Sequence, residues 1–464
     1  MFEQALQRAA VLQQLQRVKN ELARPSDSRR RVAAPQVPSV TIDGQPITLT
    51  DYDLRIAAQE LEKADKKENA QSSGQQGFEP AANRRGEMAP PLDNLAFFSR
   101  EPAIGLLQSA LEQYHLDEKP EGTATSVRRT AGEWEPVTER RLLNEFSETD
   151  PGWVASAVAM GLKLFRKPHP FKEQPAEFEI GNKARIFVVG DWGSGIERAQ
   201  GIGRMMSEMI EKGGAQEQHV IHLGDVYYSG WGWEVDRRFL RYWPVQKERS
   251  DSISSWSLNG NHDMYSGGYG YFDRLLADPR FQRQQSASYF RLFNDNWQLL
   301  GLDTAYQDNT LEKLQTDWIR QQTVGSKCKT MLLSHHQPFT VYEKDSIKMD
   351  ATLKNVLHEG GIRAWLFGHE HRCILYNESL KIKYPRLIGH GGVPVYMSHR
   401  KNDPFDPPVA YEYRGFIEGG PLGIEHWAPF GFAVLDFDNA KIGARYFYED
   451  GFAHPDPENG EVIE

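Results

Sequence analysis

Five times between residues 184 and 371 a short apolar run, rich in β-branched side chains, stops at a knot of polar residues. The runs are ARIFVVGD (184–191), HVIHLGD (219–225), SWSLNGNHD (255–263), KTMLLSHH (329–336) and AWLFGHEH (364–371). Each is of strand length, and helical patterns such as 196–212 separate several of them. Strands alternating with helices predict an α/β fold with a largely parallel central sheet. SYFRLF followed by NWQLLGLDT reads as an antiparallel hairpin, so a mixed sheet or a sandwich is expected. The polar residues gather just beyond the C-terminal ends of the runs, where α/β sheets place their sites.

The chain before residue 184 is different in kind. Helical patterns are predicted over 2–23, 50–63, 101–116, 137–147 and 150–166, the last opened by Asp150 as N-cap and Pro151 at the first helical position. Leu12, Leu15 and Leu22 have heptad-like spacing, but two heptads fit a helix docked on its own domain better than a coiled coil. Residues 24–40 and 63–91, rich in charge, Pro, Gly, Gln and Ser, read as mobile linkers. The expected division is therefore a mostly helical extension over 1–180 and a second domain over 181–464. The first 180 residues carry no chemistry of their own and are left as a surface for a protein partner or for self-association.

Composition narrows the field. With 54 Lys plus Arg against 64 Asp plus Glu in 464 residues, the net charge of −10 argues against a protein that coats nucleic acid or anionic membrane. Two cysteines, Cys328 and Cys373, exclude a disulfide framework and a cysteine-based zinc module. The N-terminus does not read as a secretory signal, and GWVASAVAMGLKLF (152–165) is too short to span a bilayer. A cytoplasmic location is the expectation.

The strand ends offer Asp191, Asp225 with Tyr228 three residues on, Asn261 and His262, His335 and His336, then His369 and His371. Carboxylates, imidazoles and an amide oxygen form a mixed donor set suited to iron, manganese or zinc. One Asp after a strand usually makes a turn. Five such ends in one chain are not explained by turns.

In their order these motifs resemble the calcineurin-like metallophosphoesterase superfamily, which runs D-x-H, GD, GNH, H and GHxH. The resemblance spans about residues 184–449 and implies a metallophosphoesterase-type β-sandwich flanked by helices. One departure stands out: DWG puts Gly193 where a His ligand is usual. The purple (tartrate-resistant) acid phosphatases share that departure and use a Tyr three residues after the second Asp, where Tyr228 stands. The resemblance implies two metal ions bridged by Asp225. One is also held by Asp191, Tyr228 and His371, the other by Asn261, His335 and His369. Tyr227 competes with Tyr228, and the spacing favours Tyr228. His336 competes with His335, which is preferred because it directly follows the strand, leaving His336 to line the pocket.

A metal-dependent phosphoric ester hydrolase is thus expected, acting through a metal-bound hydroxide and with a phosphomonoester slightly favoured. His262 is the expected proton donor to the leaving group. Asp263 either orients His262 or caps a helix, and Asp303 in GLDT is read as structural. Trp192, His336, Arg372 and His390 are the candidates for contact with a phosphorylated small molecule. Iron or manganese is favoured over zinc. The alternatives are a phosphodiesterase acting on nucleotides, nucleic acid or lipid head groups, and an inactive scaffold of the same fold.

Overall fold

The computed structural model describes residues 8–23, 41–42, 45–75, 98–117, 151–213, 216–342, 346–397, 406, 408–419, 425–455 and 461–464. The chain divides into two compact units. One comprises Met1–Lys167 with Tyr265–Gly267, the other Pro168–Met264 with Gly268–Glu464. The boundary falls before 180 because Ala176–Glu179 is a strand paired in parallel with Phe290–Phe293, and so belongs to the sheets.

The first unit is helical: α1 (Arg8–Ala23), α2 (Asp51–Gln75), α3 (Pro102–Asp117) and α4 (Pro151–Phe165). The buried stripe of α1 is Val11, Leu15, Val18 and Leu22, at helical spacing, with Leu12 only half-buried. Leu61 of α2, Leu107 of α3 and Val158 of α4 are also buried. The expected linker over 63–91 is corrected in its first half, since α2 continues to Gln75. Its Lys63 and Lys66 pair with Glu60 and Glu62 one turn back, which supports a helix that is polar on one side. The expected linker over 24–40, the rest of 63–91 and the helix expected over 137–147 lie outside the described residues.

The second unit is a pair of mixed sheets. The strands of these two sheets are β1 (Ala176–Glu179), β2 (Arg185–Val189), β3 (Gln218–His222), β4 (Ile253–Ser257), β5 (Phe290–Phe293), β6 (Trp297–Leu302), β7 (Lys329–Ser334), β8 (Ala364–Phe367), β9 (Cys373–Tyr376), β10 (Tyr384–Ile388), β11 (Val409–Glu412), β12 (Gly431–Asp438), β13 (Lys441–Tyr448), β14 (Ala453–His454) and β15 (Glu461–Ile463), and Ile417–Gly419 pairs separately with Glu425–Trp427. One sheet has the order β11-β9-β10-β8-β7-β6-β5-β1. The other has the order β14-β13-β12-β2-β3-β4, with β15 added to β13. The expected hairpin is β5 antiparallel to β6, and β12 and β13 form another, closed at Asp438 opposite Lys441.

Burial explains the apolar runs. Leu299, Met331, Leu333 and Leu366 of the first sheet share a core with Ile186, Val188, Ile221 and Leu435 of the second. The alternate residues Leu300, Leu332, Trp365 and Phe367 face the other way and pack with Trp318, Ile319, Leu353 and Val356 from helices Lys313–Thr323 and Ala351–His358. Strands covered on both faces need apolar side chains at every position, which is why period-two alternation is absent from these runs. The parallel sets β2-β3-β4 and β7-β8 then deliver all five polar strand ends to one edge of the unit. Leu333→Ala, at a fully buried position between the sheets, is expected to cost about 2–5 kcal/mol of stability in urea unfolding.

Candidate metal centre

The backbone at the strand ends is held in an unusual state. Asp191, Asp225 and His369 have φ of 56°, 80° and 74°, a left-handed conformation that non-glycine residues rarely adopt. Such strain collects at functional sites, where the surrounding structure enforces it. Here neighbouring amides do the enforcing. The Asp191 N–H donates to the Gly224 carbonyl at 3.1 Å, and Gly368 N–H donates to the His335 carbonyl at 2.9 Å. Gly224 itself has φ of +107°, and a Cβ there would stand 2.8 Å from His335 Nδ1, so the turn requires glycine.

Two donor clusters result. In the first, Tyr227 Oη lies 3.2 Å from Asp191 Oδ1, 3.0 Å from Asp225 Oδ2 and 3.1 Å from His371 Nε2. In the second, His335 Nε2 lies 3.0 Å from Asn261 Oδ1 and 3.1 Å from His369 Nδ1. Asp225 Oδ2 joins them, since it is also 3.5 Å from His335 Nε2. Asp191, Asp225, Tyr227 and His335 are buried, whereas Asn261 and His371 are half-buried and mark the open side.

The remaining lone pairs on these groups are tied down. The His262 N–H donates to Asp225 Oδ1 at 3.0 Å, and the His369 N–H donates to Asp191 Oδ2 at 2.8 Å. His335 Nδ1 donates to the Leu223 carbonyl at 3.0 Å, which leaves Nε2 as a lone pair. That lone pair therefore confronts an amide oxygen and a carboxylate oxygen, acceptor against acceptor. Buried carboxylates and converging lone pairs call for positive charge, and the donor set fits a metal ion in each cluster.

The tyrosine is the main difference from expectation. Gly193 and Val226 form a parallel bridge, after which Tyr227–Ser229 make a turn. The hydroxyl of Tyr227, two residues after Asp225, enters the first cluster. Tyr228 turns away, with its ring beneath the Arg238 guanidinium at 4.5 Å. At Gly193 a Cβ would meet the Asp225 carbonyl oxygen at 2.6 Å. A His at that position does not fit this backbone, and the phenol of Tyr227 lies in the cluster instead.

His262 lies in the short helix Asn261–Tyr265 with its ring 4.4 Å from that of Tyr227. Its Nδ1 donates to the Tyr228 carbonyl at 2.7 Å. Of the two roles expected of it, Asp263 takes that of a helix cap, at the third position of this helix. Its Oδ2 accepts from the amides of Gly260 at 2.7 Å and Asp225 at 2.9 Å, pinning two strand ends together. Burial, and then the Asp225 charge, push this carboxyl well above the usual carboxylate range.

Of the expected substrate contacts, His336 stands against the second cluster, its ring 4.7 Å from that of His369. Trp192 does not reach the site. It is buried with its Nε1 on the Ala199 carbonyl at 2.6 Å and its ring against Phe239 and Trp243. Arg372 is buried over the Tyr342 ring at 4.0 Å, with Glu412 at 3.9 Å, and His390 packs beside Tyr448. Glu234, unremarked in the sequence, accepts from the amides of Tyr228, Ser229 and Trp231 and so holds the loop after Asp225. Its place three residues after Trp231, at the start of a helical turn, is the one cue the sequence offers.

Comparison with known proteins follows the same line. Residues 184–373 match the family model of the calcineurin-like phosphoesterases. None of the curated proteins matches it. Among solved structures, GAP50, described as the anchor in the inner membrane complex of Plasmodium, is similar at 12% identity and a TM-score of 0.45, over 61% of this chain and 90% of that one. A dimetal phosphatase from Danio rerio is similar at 12% identity and 0.39, over 62% and 99%. A cold-active protein tyrosine phosphatase from a Shewanella species is similar at 13% and 0.29, over 63% and 83%.

Two measurements check these placements. Tyr227→Phe is expected to weaken uptake of one of two ions in a metal titration, while Tyr228→Phe leaves both. Asp303 is buried, with its Oδ1 accepting from Ala305 and Tyr306 amides, and burial raises its carboxyl from 3.8 to about 6. The native state then holds this proton more tightly than the unfolded chain, so its contribution to stability is lost as pH rises from about 4 to 6. Asp303→Asn should flatten that fall in denaturation curves measured across the interval.

Proposed function

We propose that the two clusters hold a pair of metal ions and that this chain hydrolyses phosphate esters, with phosphomonoesters favoured. The observation that supports this most is the position of Asp225 Oδ2, within 3.5 Å of donors in both clusters. Asp191, Asp225, Tyr227 and His371 hold one ion, and Asp225, Asn261, His335 and His369 hold the other. The first set is richer in oxygen, including a phenol, and suits a hard ion such as ferric iron or manganese. The second is richer in nitrogen and suits a borderline divalent ion. The phenol and Gly193 together favour the purple acid phosphatase branch of the superfamily, with Tyr227 in the tyrosine's role.

Paired ions in such a site acidify water and neutralise phosphoryl oxygens in an in-line displacement. The protein's own groups supply the rest. The half-buried Asn261 and His371 lie on the side from which an ester enters. His262, with Nδ1 committed to the Tyr228 carbonyl, keeps Nε2 as the nitrogen that carries a proton to the departing alkoxide. The ring of Tyr227 against the imidazole fixes its orientation. The low net basicity of the chain fits a small substrate better than a nucleic acid.

The expected result for His262→Ala is a loss of about 100-fold or more on alkyl phosphates, whose leaving groups need the proton, and a much smaller loss on p-nitrophenyl phosphate. Equal losses on both would remove His262 from that role. Preference of the wild type for bis-p-nitrophenyl phosphate would move the activity to diesters. No metal uptake and no turnover would leave a scaffold.

A further inference from the structure

The doubled histidine at 335–336 places two imidazoles side by side, and their hydrogen-bond partners set them to opposite tautomers. His335 Nδ1 faces a backbone carbonyl, that of Leu223, at 3.0 Å. A carbonyl only accepts, so Nδ1 carries the proton and Nε2 presents a lone pair. His336 Nδ1 instead faces a hydroxyl, Thr304 Oγ1, at 3.0 Å. That oxygen already accepts the His336 backbone N–H at 3.1 Å. Thr304 is fully buried, and among the described residues His336 Nδ1 is the acceptor offered to its hydroxyl proton. A buried hydroxyl donates where it can. Thr304 therefore donates to His336 Nδ1, and the neutral imidazole carries its own proton on Nε2.

We infer that His336 is not a third imidazole ligand but a hydrogen-bond donor, positioned through Thr304 to bind a phosphoryl oxygen of the substrate or product at the His335–His369 cluster. The inference rests on the phosphoesterase reading above. The placement supports it: the His336 ring lies 4.8 Å from that of His335 and 4.7 Å from that of His369, and one nitrogen of each of the three lies within 4.8 Å of the others. The segment is also rigid. Ser334 Oγ donates to the His336 carbonyl at 2.8 Å and accepts from Trp365 Nε1 at 2.8 Å, so the ring is held from both its backbone and its edge. A pre-set donor in a buried site binds an anion without the cost of reorganising. Thr304 ends the run WQLLGLDT, which supplies no metal ligand, and this gives that strand end a part in the site.

The test uses zinc-loaded protein labelled with 15N-histidine, with His336→Gln to assign the signals. The expected spectrum shows His336 protonated at Nε2 and unligated, and His335 protonated at Nδ1. Calorimetry with inorganic phosphate is expected to show affinity weakened about tenfold or more in His336→Ala, less in His336→Gln, which keeps an N–H donor, and two zinc ions in each. A zinc-shifted His336 nitrogen, a proton on Nδ1, or loss of one ion in both variants would overturn the inference, as would unchanged phosphate affinity with both ions held. Should a variant fail to fold, the wild-type spectrum decides alone. Failure of the phosphoesterase reading is distinguished by wild-type protein that takes up no zinc; the His336 tautomer, read on the same sample, still upholds or overturns the Thr304 hydrogen bond.

Discussion

The carboxylate of Asp225 is the point on which the rest of the centre depends. Its Oδ1 is fixed by the His262 amide, and its Oδ2 stands between a cluster built on Asp191, Tyr227 and His371 and one built on Asn261, His335 and His369. A carboxylate held that way cannot serve one cluster without orienting the other. The left-handed backbone at Asp225 aims it, and the buried Asp263, gripping the Asp225 and Gly260 amides, keeps the strand ends of β3 and β4 at the required separation. The backbone amides bound to these carboxylates are what make the network rigid.

The two-sheet architecture serves that geometry. Parallel strands place their C-terminal ends along one edge, and two parallel sets, one in each sheet, bring five ends within reach of one another. The shared core between the sheets fixes their spacing, so donor atoms of residues as far apart in the chain as Asp191 and His371 meet within 3.7 Å. Backbone amides then do much of the aligning, which is why mid-loop residues such as Glu234 matter although they touch neither cluster.

Neighbouring residues of the same type take different parts here. In the Tyr227–Tyr228 pair, one side chain reaches the donors and the other lies against Arg238. In the His335–His336 pair, a carbonyl and a hydroxyl determine which nitrogen holds the proton. Both distinctions come from what lies across the fold.

The sequence by itself determined the class of fold, the strand ends and the donor types. Those features are local: each strand-length apolar run and the polar knot at its end are written within ten residues of one another. It also carried the departure at Gly193. Tertiary structure alone decided that Tyr227 rather than Tyr228 enters the first cluster, because that depends on where the turn over Tyr227–Ser229 lies against Asp191 and His371, residues distant in the chain. It alone removed Trp192 to an aromatic core and gave Arg372 to Glu412, since an aromatic or a cation beside a motif looks the same whichever way its side chain turns. The continuation of α2 to Gln75 was hidden for a related reason: a charged, polar segment reads as a linker until its ion pairs one turn apart declare a helix. Burial and hydrogen-bond direction are properties of the assembled chain, and they are what separate a ligand from a neighbour.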